Sequence, residues 1–315
     1  MLEERLGTEA MELTVRSSGE LRTCTSIVAS DETTELVEPS ADILKDEMDE
    51  LLSKVSKVDN RARGVCIMGS MPPGCGAETY AKLYAQCAGP STVSVVDSVA
   101  GIEDLLKAAS GMGAASGPLI FKINASELCA IASVSKSTSE TGGVDEAELT
   151  AAVQQFVAKF SPHATKALLG LAITDGRHPA HFVNFVDNEK DFELFRIQVP
   201  KLDSGVTLYP IGAGDAVAAG TWAAWVSLTA SEAYGGEEVV PKDCLDLLLD
   251  GVKRLDSISS SKDVAQAVAA FSFGLVCGSA SCLQQENSVL DTADVRRLYQ
   301  ALASPELLSK QPIKA

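Results

Sequence analysis

The sequence is poor in the residues on which several common functions depend. It has 26 basic residues against 43 acidic ones, and the net charge of −17 repels phosphate backbones, so we expect no nucleic-acid partner. It has three histidines, and no two of its eight cysteines form a Cys-x-x-Cys pair, which argues against a zinc site. No apolar run approaches the roughly 20 residues that span a bilayer, so we expect no membrane contact.

Two further absences bear on enzyme class and compartment. The Gly-x-x-x-x-Gly-Lys-[Ser/Thr] pattern does not occur, which excludes a P-loop enzyme. A basic and apolar signal peptide is also absent. The cysteines lie mostly among apolar or small residues, which predicts buried free thiols in a reducing compartment. We therefore expect a cytoplasmic protein, or an organellar one if the natural N-terminus lies further upstream. The histidines, expected in ordinary loops, are His163, His178 and His181.

What the chain does contain is a regular alternation of strand-length apolar segments and longer helical patterns. This alternation predicts an α/β fold, with a mostly parallel sheet covered by helices. The first two predicted strands have no helix between them, so we expect a small antiparallel β flap, or lid. Residues 1–40 would then be a partial β lid with an N-terminal remnant, and residues 41–315 an α/β core.

The predicted strands are 22–29, 33–37, 64–68, 93–97, 119–122, 167–174, 182–186 and 194–199. The predicted helices are 41–58, 76–87, 102–109, 125–132, 146–160, 213–228, 243–255, 264–282 and 292–302. Ligands of open α/β sheets bind beyond the carboxyl ends of the strands, so functional residues should follow the strands directly.

The most informative segment is a glycine-rich turn in front of an Ala-rich helix, residues 210–220. Gly212 and Gly214 allow a tight turn and a close approach to a ligand without a Cβ clash. The first N–H groups of the helix have no partners within it and form a nest for an anion. Asp215 lies in the first turn beside this nest. A carboxylate base beside an anion site suits phosphoryl transfer; the alternative is that Asp215 only complements the helix N-terminus.

Three further groups of residues accompany this turn. They are 22–25 with 34–36, 68–74 and 121–128. With the glycine-rich turn they resemble, in order, the motifs of the ribokinase-like (PfkB) carbohydrate kinase family, closest to its 1-phosphofructokinase and tagatose-6-phosphate kinase branch. Ile123 replaces a proline of the family pattern. The resemblance implies a ribokinase-like α/β fold with a β lid, and makes the core an ATP-binding kinase core.

The resemblance also implies ATP and Mg²⁺ as cofactors, a sugar phosphate as substrate, and the residues that contact them. Asp215 is the implied catalytic base. The implied anion hole and ATP contacts are Gly212, Ala213, Gly214, Thr174, Gly176, Lys122 and Asn287. The implied sugar contacts are Arg22, Gly69 and Ser70, and the implied Mg²⁺ ligands are Asn124 and Glu127.

Several of these roles have a structural alternative that the residues alone leave open. Asn124 and Glu127 also match an N-cap with a capping box. Lys122 is equally compatible with a surface lysine at a strand end. The small residues at 274–282 are typical of tight helix packing as well as of the family's segment near the adenine. Pro179 stands where the family's nucleotide motif has its last glycine.

Two motifs of the family have no counterpart here. One is the first strand with its substrate-binding aspartate, and the other is a Gly-Gly-x-x-x-Asn segment. The chain would begin inside the lid, near residues 11–22. We expect a truncated reading frame, since Asp215, Asn124 and Glu127 are all present. The alternatives are a divergent pseudokinase and a sheet that another chain completes, because an exposed edge invites pairing.

The sequence therefore predicts an ATP-dependent carbohydrate kinase that phosphorylates a hydroxyl of a fructose or tagatose phosphate. The alternative is a nucleotide-binding protein, truncated or a pseudokinase, that phosphorylates no sugar. Lids of this fold often pair, so a homodimer through the lid is a further expectation.

Overall fold

The computed structural model describes residues 13–28, 33–57, 62–135, 143–186, 191–203, 205–229 and 239–313. The strands are β1 (Cys24–Val28), β2 (Thr33–Val37), β3 (Gly64–Met68), β4 (Val93–Asp97), β5 (Leu119–Asn124), β6 (Gly170–Thr174), β7 (Ala180–Val186), β8 (Asp191–Ile197) and β9 (Glu306–Pro312). The helices are α1 (Lys45–Val55), α2 (Thr79–Cys87), α3 (Ile102–Met112), α4 (Ala125–Ala132), α5 (Glu146–Phe160), α6 (His163–Ala167), α7 (Ala213–Thr229), α8 (Lys242–Leu255), α9 (Lys262–Ser281) and α10 (Thr292–Ala301).

Seven strands form one sheet in the order β3-β4-β5-β6-β7-β8-β9. The strands β3 to β6 are parallel to one another, and β7, β8 and β9 each pair antiparallel with the preceding neighbour. Five of the seven strands therefore run in the same direction. This confirms the predicted mostly parallel sheet. Within the described residues β3 lies at one edge of the sheet.

Two layers of helices cover the sheet. One apolar core joins the sheet to α2–α6, and the other joins it to α7–α10. The alternation of side chains along β5 shows how a strand serves both layers. Ile120 belongs to the core under α7–α10, and Phe121 belongs to the core on the opposite face, because successive side chains of a strand point to opposite faces. The next residue, Lys122, therefore faces the layer of α7.

The helix α9 is an exception to the expectation that no apolar segment approaches the length needed to span a bilayer. An 18-residue window of its 20 residues has a mean hydropathy of 1.5, so its length and composition would allow it to cross a membrane. In the structure that window is wholly buried, as is typical of the core helix of a globular protein. Glycines bring it against α7: a Cβ at Gly274 would collide with the Val217 carbonyl and the Thr221 hydroxyl. The small residues of this segment thus serve helix packing.

The first two strands form the predicted antiparallel flap, with Cys24 opposite Val37 and Ile27 opposite Thr34. This two-stranded sheet is separate from the main one. Residues 29–32, between the two strands, lie outside the described residues, as do residues 1–12 of the predicted N-terminal remnant. The proposed division at residue 40 remains a prediction.

Most predicted elements are confirmed to within four residues at each end. Neither α6 nor β9 is predicted from the sequence. All eight cysteines are free as expected, but the prediction that they are buried holds fully only for Cys129, Cys244 and Cys277. Three more are partly buried, and the prediction is wrong for Cys24 and Cys66, which are exposed. Cys24 lies on the flap and Cys66 on the edge strand β3, where less of the protein covers them. Two of the histidines expected in loops are not there: His163 begins α6, and His181 lies in β7 and is 7% exposed.

Candidate active site

The candidate site lies at the carboxyl ends of the parallel strands. Met68 at the end of β3 is level with Asp97 at the end of β4, and Asn124 at the end of β5 is level with Thr174 at the end of β6. The residues that follow these strands therefore meet at one edge of the sheet, as the position rule for α/β folds predicts. Gly69 is bound there, since its N–H donates to the Asp97 carbonyl over 3.0 Å.

The glycine-rich turn leads directly into α7, which begins at Ala213. Gly212 has a φ of +78°, a conformation that favours glycine. A Cβ there would lie 2.5 Å from Ser288 Oγ and 3.5 Å from Asn287 Cβ, so the loop carrying Asn287 closes tightly over the turn. Asp215 is exposed in the first turn of α7. The N-terminus of α7 thus presents its first N–H groups beside a carboxylate.

Lys122 connects the sheet to this turn. Its ammonium forms an ion pair with the Asp97 carboxylate at 2.6 Å, and the two side chains are 6% and 19% exposed. A Cβ on Gly214 would lie 3.7 Å from Lys122 Nζ. The alternative of a surface lysine is therefore wrong. The start of α7 lies over the Lys122 side chain, which places a positive charge directly below the turn.

Asp97 is a member of the site that the motif analysis missed. Burial raises the pKa of its carboxyl above the ordinary value, Lys122 opposes that change, and the Glu127 and Asp215 carboxylates raise the pKa further. These two acidic groups are therefore close enough to act on Asp97 electrostatically. The sequence pattern could have identified Asp97 as a site residue. It ends a buried strand after four apolar or small residues, just as Asn124 ends β5.

Asn124 and Glu127 form the capping box that was considered as an alternative. The Glu127 N–H donates to Asn124 Oδ1 over 2.8 Å, and the Asn124 N–H donates to Glu127 Oε2 over 3.1 Å. Over the described ranges, no three His, Cys, Asp or Glu side chains are grouped to hold a metal ion unaided. Mg²⁺ does not require such a group, since it retains waters and binds one or two carboxylates together with substrate phosphates. The mutual repulsion of the acidic groups around Asp97 fits such an ion.

The other residues predicted to contact the nucleotide or the sugar make fewer contacts with the glycine-rich turn. Thr174 is half-buried, and Gly176 follows it with a φ of +59° and open space on its Cβ side. Ser70 is exposed after β3. Arg22 is exposed just before the flap strand β1, and in the part of the chain that the structure describes no hydrogen bond or ion pair joins it to the strand ends. The structure therefore brings together the turn, Lys122 and the acidic groups, but not Arg22.

Comparisons with known proteins bear on this arrangement. Similar solved structures include Escherichia coli phosphofructokinase-2, with 20% identity, a TM-score of 0.55, and coverage of 91% of this chain and 72% of that one. A possible 1-phosphofructokinase from Thermotoga maritima has 13% identity, a TM-score of 0.51 and coverage of 92% and 72%. Giardia lamblia ribokinase has 16% identity, a TM-score of 0.51 and coverage of 91% and 72%. At these identities the likeness shows a common, ribokinase-like fold.

The sequence itself gives the family. Residues 4–240 match the pfkB family carbohydrate kinases. Because this match spans well over half of the chain, the protein belongs to the pfkB family of carbohydrate kinases, which makes it a phosphotransferase with an alcohol group as acceptor.

Proposed function

We propose that this kinase transfers the γ-phosphate of ATP to a hydroxyl of a sugar phosphate of the fructose or tagatose phosphate type. The observation that carries the proposal is the glycine-rich turn before α7, which stands above Lys122 with Asp215 exposed at its rim. An anion nest, a buried cation and an accessible carboxylate are what phosphoryl transfer to an alcohol requires.

Each of these groups has a definite task in the proposed reaction. Asp215 accepts the proton of the attacking hydroxyl, because a carboxylate in the first turn of α7 is next to the helix N–H groups that attract the phosphate. Gly212, Ala213 and Gly214 would supply backbone N–H groups that stabilise charge on the transferred phosphoryl group, and the Ala213 N–H would exchange its 3.2 Å hydrogen bond to the Pro210 carbonyl for the phosphate. Lys122, held in place by Asp97, adds a fixed positive charge below them.

The nucleotide and its metal would occupy the same edge of the sheet. Thr174, Gly176 and Asn287 would line the nucleotide, and Asn124 and Glu127 would hold Mg²⁺. Capping uses only part of the Glu127 carboxylate, which has about four lone-pair sites. Bound Mg²⁺ would neutralise charge on the ATP phosphates. The free thiols of the chain are in line with a reducing compartment. The proposal therefore places the protein in the cytoplasm.

The choice of a sugar phosphate rests on the segment after β3. Gly69 and Ser70 are exposed at the edge of the site, and Arg22 lies at the start of the flap. We assign these three residues to the substrate, with the flap folding over it. One of the similar structures, Escherichia coli phosphofructokinase-2 at 18% identity and a TM-score of 0.51, was solved with fructose-6-phosphate, which is in line with this choice.

The test is ADP release from the purified chain with Mg-ATP and a panel of acceptors. The panel contains fructose 6-phosphate, fructose 1-phosphate, tagatose 6-phosphate, free fructose and ribose. We expect turnover that depends on one of the sugar phosphates and is much slower with the free sugars. ADP release that no sugar phosphate stimulates would contradict the proposal and favour nucleotide binding without sugar phosphorylation.

We also propose that two copies pair through their flaps. Ile27 and Leu36 lie on the same face of the flap and are 54% and 57% exposed. An isolated two-stranded sheet is marginally stable in water. Burying its apolar face against the flap of a second copy would therefore stabilise it. The opposite face carries the charged Glu35 beside Val37.

The pairing predicts the effect of a charge on the flap. Leu36→Glu should convert a dimer to a monomer, because a carboxylate would be buried against the second flap. Static light scattering measures the mass. Val37→Glu is the matched control, since Val37 is 55% exposed on the other face and its substitution should leave the dimer intact. Equal masses for wild type and Leu36→Glu would exclude this interface.

A further inference from the structure

A second cavity lies away from the candidate active site, between α8, α9 and α10. Its volume is about 350 Å³, which is within the usual range of small-molecule sites. Apolar side chains form most of its wall, and the polar groups among them include the Arg254 guanidinium and the Tyr299 hydroxyl. We refer to it as the α8–α10 cavity.

Tyr299 is held as a rigid donor on this wall. Its ring packs edge-on against Phe273, with ring centroids 5.5 Å apart. The hydroxyl lies against Gly251, where a Cβ would be only 2.9 Å away. Burial raises the pKa of Tyr299 to about 12, so the hydroxyl stays protonated at neutral pH. A protonated hydroxyl at a fixed position can donate a hydrogen bond to a ligand.

Arg254 is exposed, and no carboxylate in the part of the chain that the structure describes pairs with its charge. Its guanidinium donates to the Asp250 carbonyl over 3.3 Å and to Ser304 Oγ over 3.4 Å, both of which are neutral groups. Arg196, Arg296 and Arg297 all form ion pairs with carboxylates. Within the described residues no carboxylate forms one with Arg254, although the chain carries a net charge of −17. The cavity therefore favours an anion.

The surrounding helices limit the charge of that anion. Apart from Ala269 and Ser272 of α9, the lining comes from the last turns of α8 and α10 and the residues after them, where the helix dipoles are negative. A dianionic phosphate is disfavoured there more than a carboxylate, which Arg254 alone can neutralise in a bidentate contact. Leu255, Leu302 and Pro305 offer an apolar wall for the rest of the molecule. We propose that the α8–α10 cavity binds a small organic monocarboxylate with a compact apolar body.

This site would be separate from the candidate active site. The cavity uses Ala269 and Ser272 of α9, whereas the contact with the start of α7 is made by Gly278. The nearer of the two, Ser272, is six residues from Gly278, about 9 Å along the helix. The proposal therefore does not depend on the proposed reaction, and its test needs no turnover.

The experiment is a titration of the full chain with 4-fluorobenzoate, followed by ¹⁹F NMR. We expect saturable binding, which Arg254→Gln weakens at least about 10-fold and Tyr299→Phe weakens by a smaller factor. Lys253→Gln is the matched control, because it removes the same charge one residue away, from a side chain that is 77% exposed and pairs with Asp250. Binding to Lys253→Gln should equal that of wild type.

Two further probes test the chemistry of the ligand. The neutral 4-fluorobenzamide and the dianionic 4-fluorophenyl phosphate should both bind more weakly than the carboxylate, and Mg-ATP should not displace it. Thermal melts establish that each variant is folded. No saturable binding of 4-fluorobenzoate, equal binding to the Arg254 variant, stronger binding of the phosphate, or displacement by Mg-ATP would each overturn the proposal.

Discussion

Replacing Asp215 with asparagine is expected to lower the turnover number about 1,000-fold, which is within the usual contribution of a general base. Asparagine has nearly the same shape but cannot accept the proton of the attacking hydroxyl. The Gly212–Gly214 N–H groups and Lys122 remain in place, so binding of Mg-ATP should be little changed. The measurement is sugar-dependent ADP release, with nucleotide affinity determined separately by calorimetry.

The alternative function of Asp215 as a complement to the helix dipole predicts a different result. Asp263 also lies in the first turn of its helix, the neighbouring α9, and is likewise exposed. If both residues only favour a helix N-terminus, Asp215→Asn and Asp263→Asn should each lower stability slightly and leave turnover unchanged. A normal turnover number in Asp215→Asn would therefore remove the base from the mechanism. A loss confined to that variant supports it.

The elements that could be predicted are those whose pattern is local. The helix α4 is predicted to the residue because Asn124 and Glu127 mark its start, and α5 likewise follows Asp145, whose side chain caps it. The strand β9 was missed. Its residues are mixed in polarity and only partly buried, and it forms by pairing with β8, more than 100 residues earlier in the chain. A pairing over that distance leaves no local periodicity to detect.

The same distinction applies to the candidate site. The glycine-rich turn and the strand ends are recognisable from residue types and spacing. The environment of Lys122 is not, because its side chain lies against the start of α7, which begins about 90 residues later in the chain. Its ion pair with Asp97 joins two strands in the same way. Periodicity gives the face of a strand to which a side chain points, but not what covers that face.

Lys122 is accordingly expected to matter for stability as well as for phosphate binding. Lys122→Met should lower the free energy of unfolding by about 3 kcal/mol, because it leaves a mostly buried carboxylate without its cation. Methionine retains the length of the side chain and its apolar contacts. Urea unfolding of wild type and variant at neutral pH measures the difference.

A second lysine provides the comparison for this loss. Lys107 and Glu103 form an ion pair at the same 2.6 Å, but their side chains are 48% and 61% exposed. Water screens such a pair and solvates the carboxylate that remains when the lysine is removed, so Lys107→Met should change stability little. Similar losses of unfolding free energy in the two variants would mean that burial of the Lys122–Asp97 pair contributes nothing to stability.

The pH dependence of the stability lost in Lys122→Met, called the deficit below, shows whether the loss comes from the missing charge or from the changed packing of the side chain. Burial already raises the pKa of Asp97 in the folded protein, and without the opposing effect of Lys122 this pKa rises further. A carboxyl whose pKa is raised by folding costs nothing at acidic pH, where it is protonated in both states, and destabilises the fold as pH rises through the interval between the two pKa values. The deficit should therefore be small at acidic pH and reach its full size by neutral pH. A deficit independent of pH would assign the loss to packing instead.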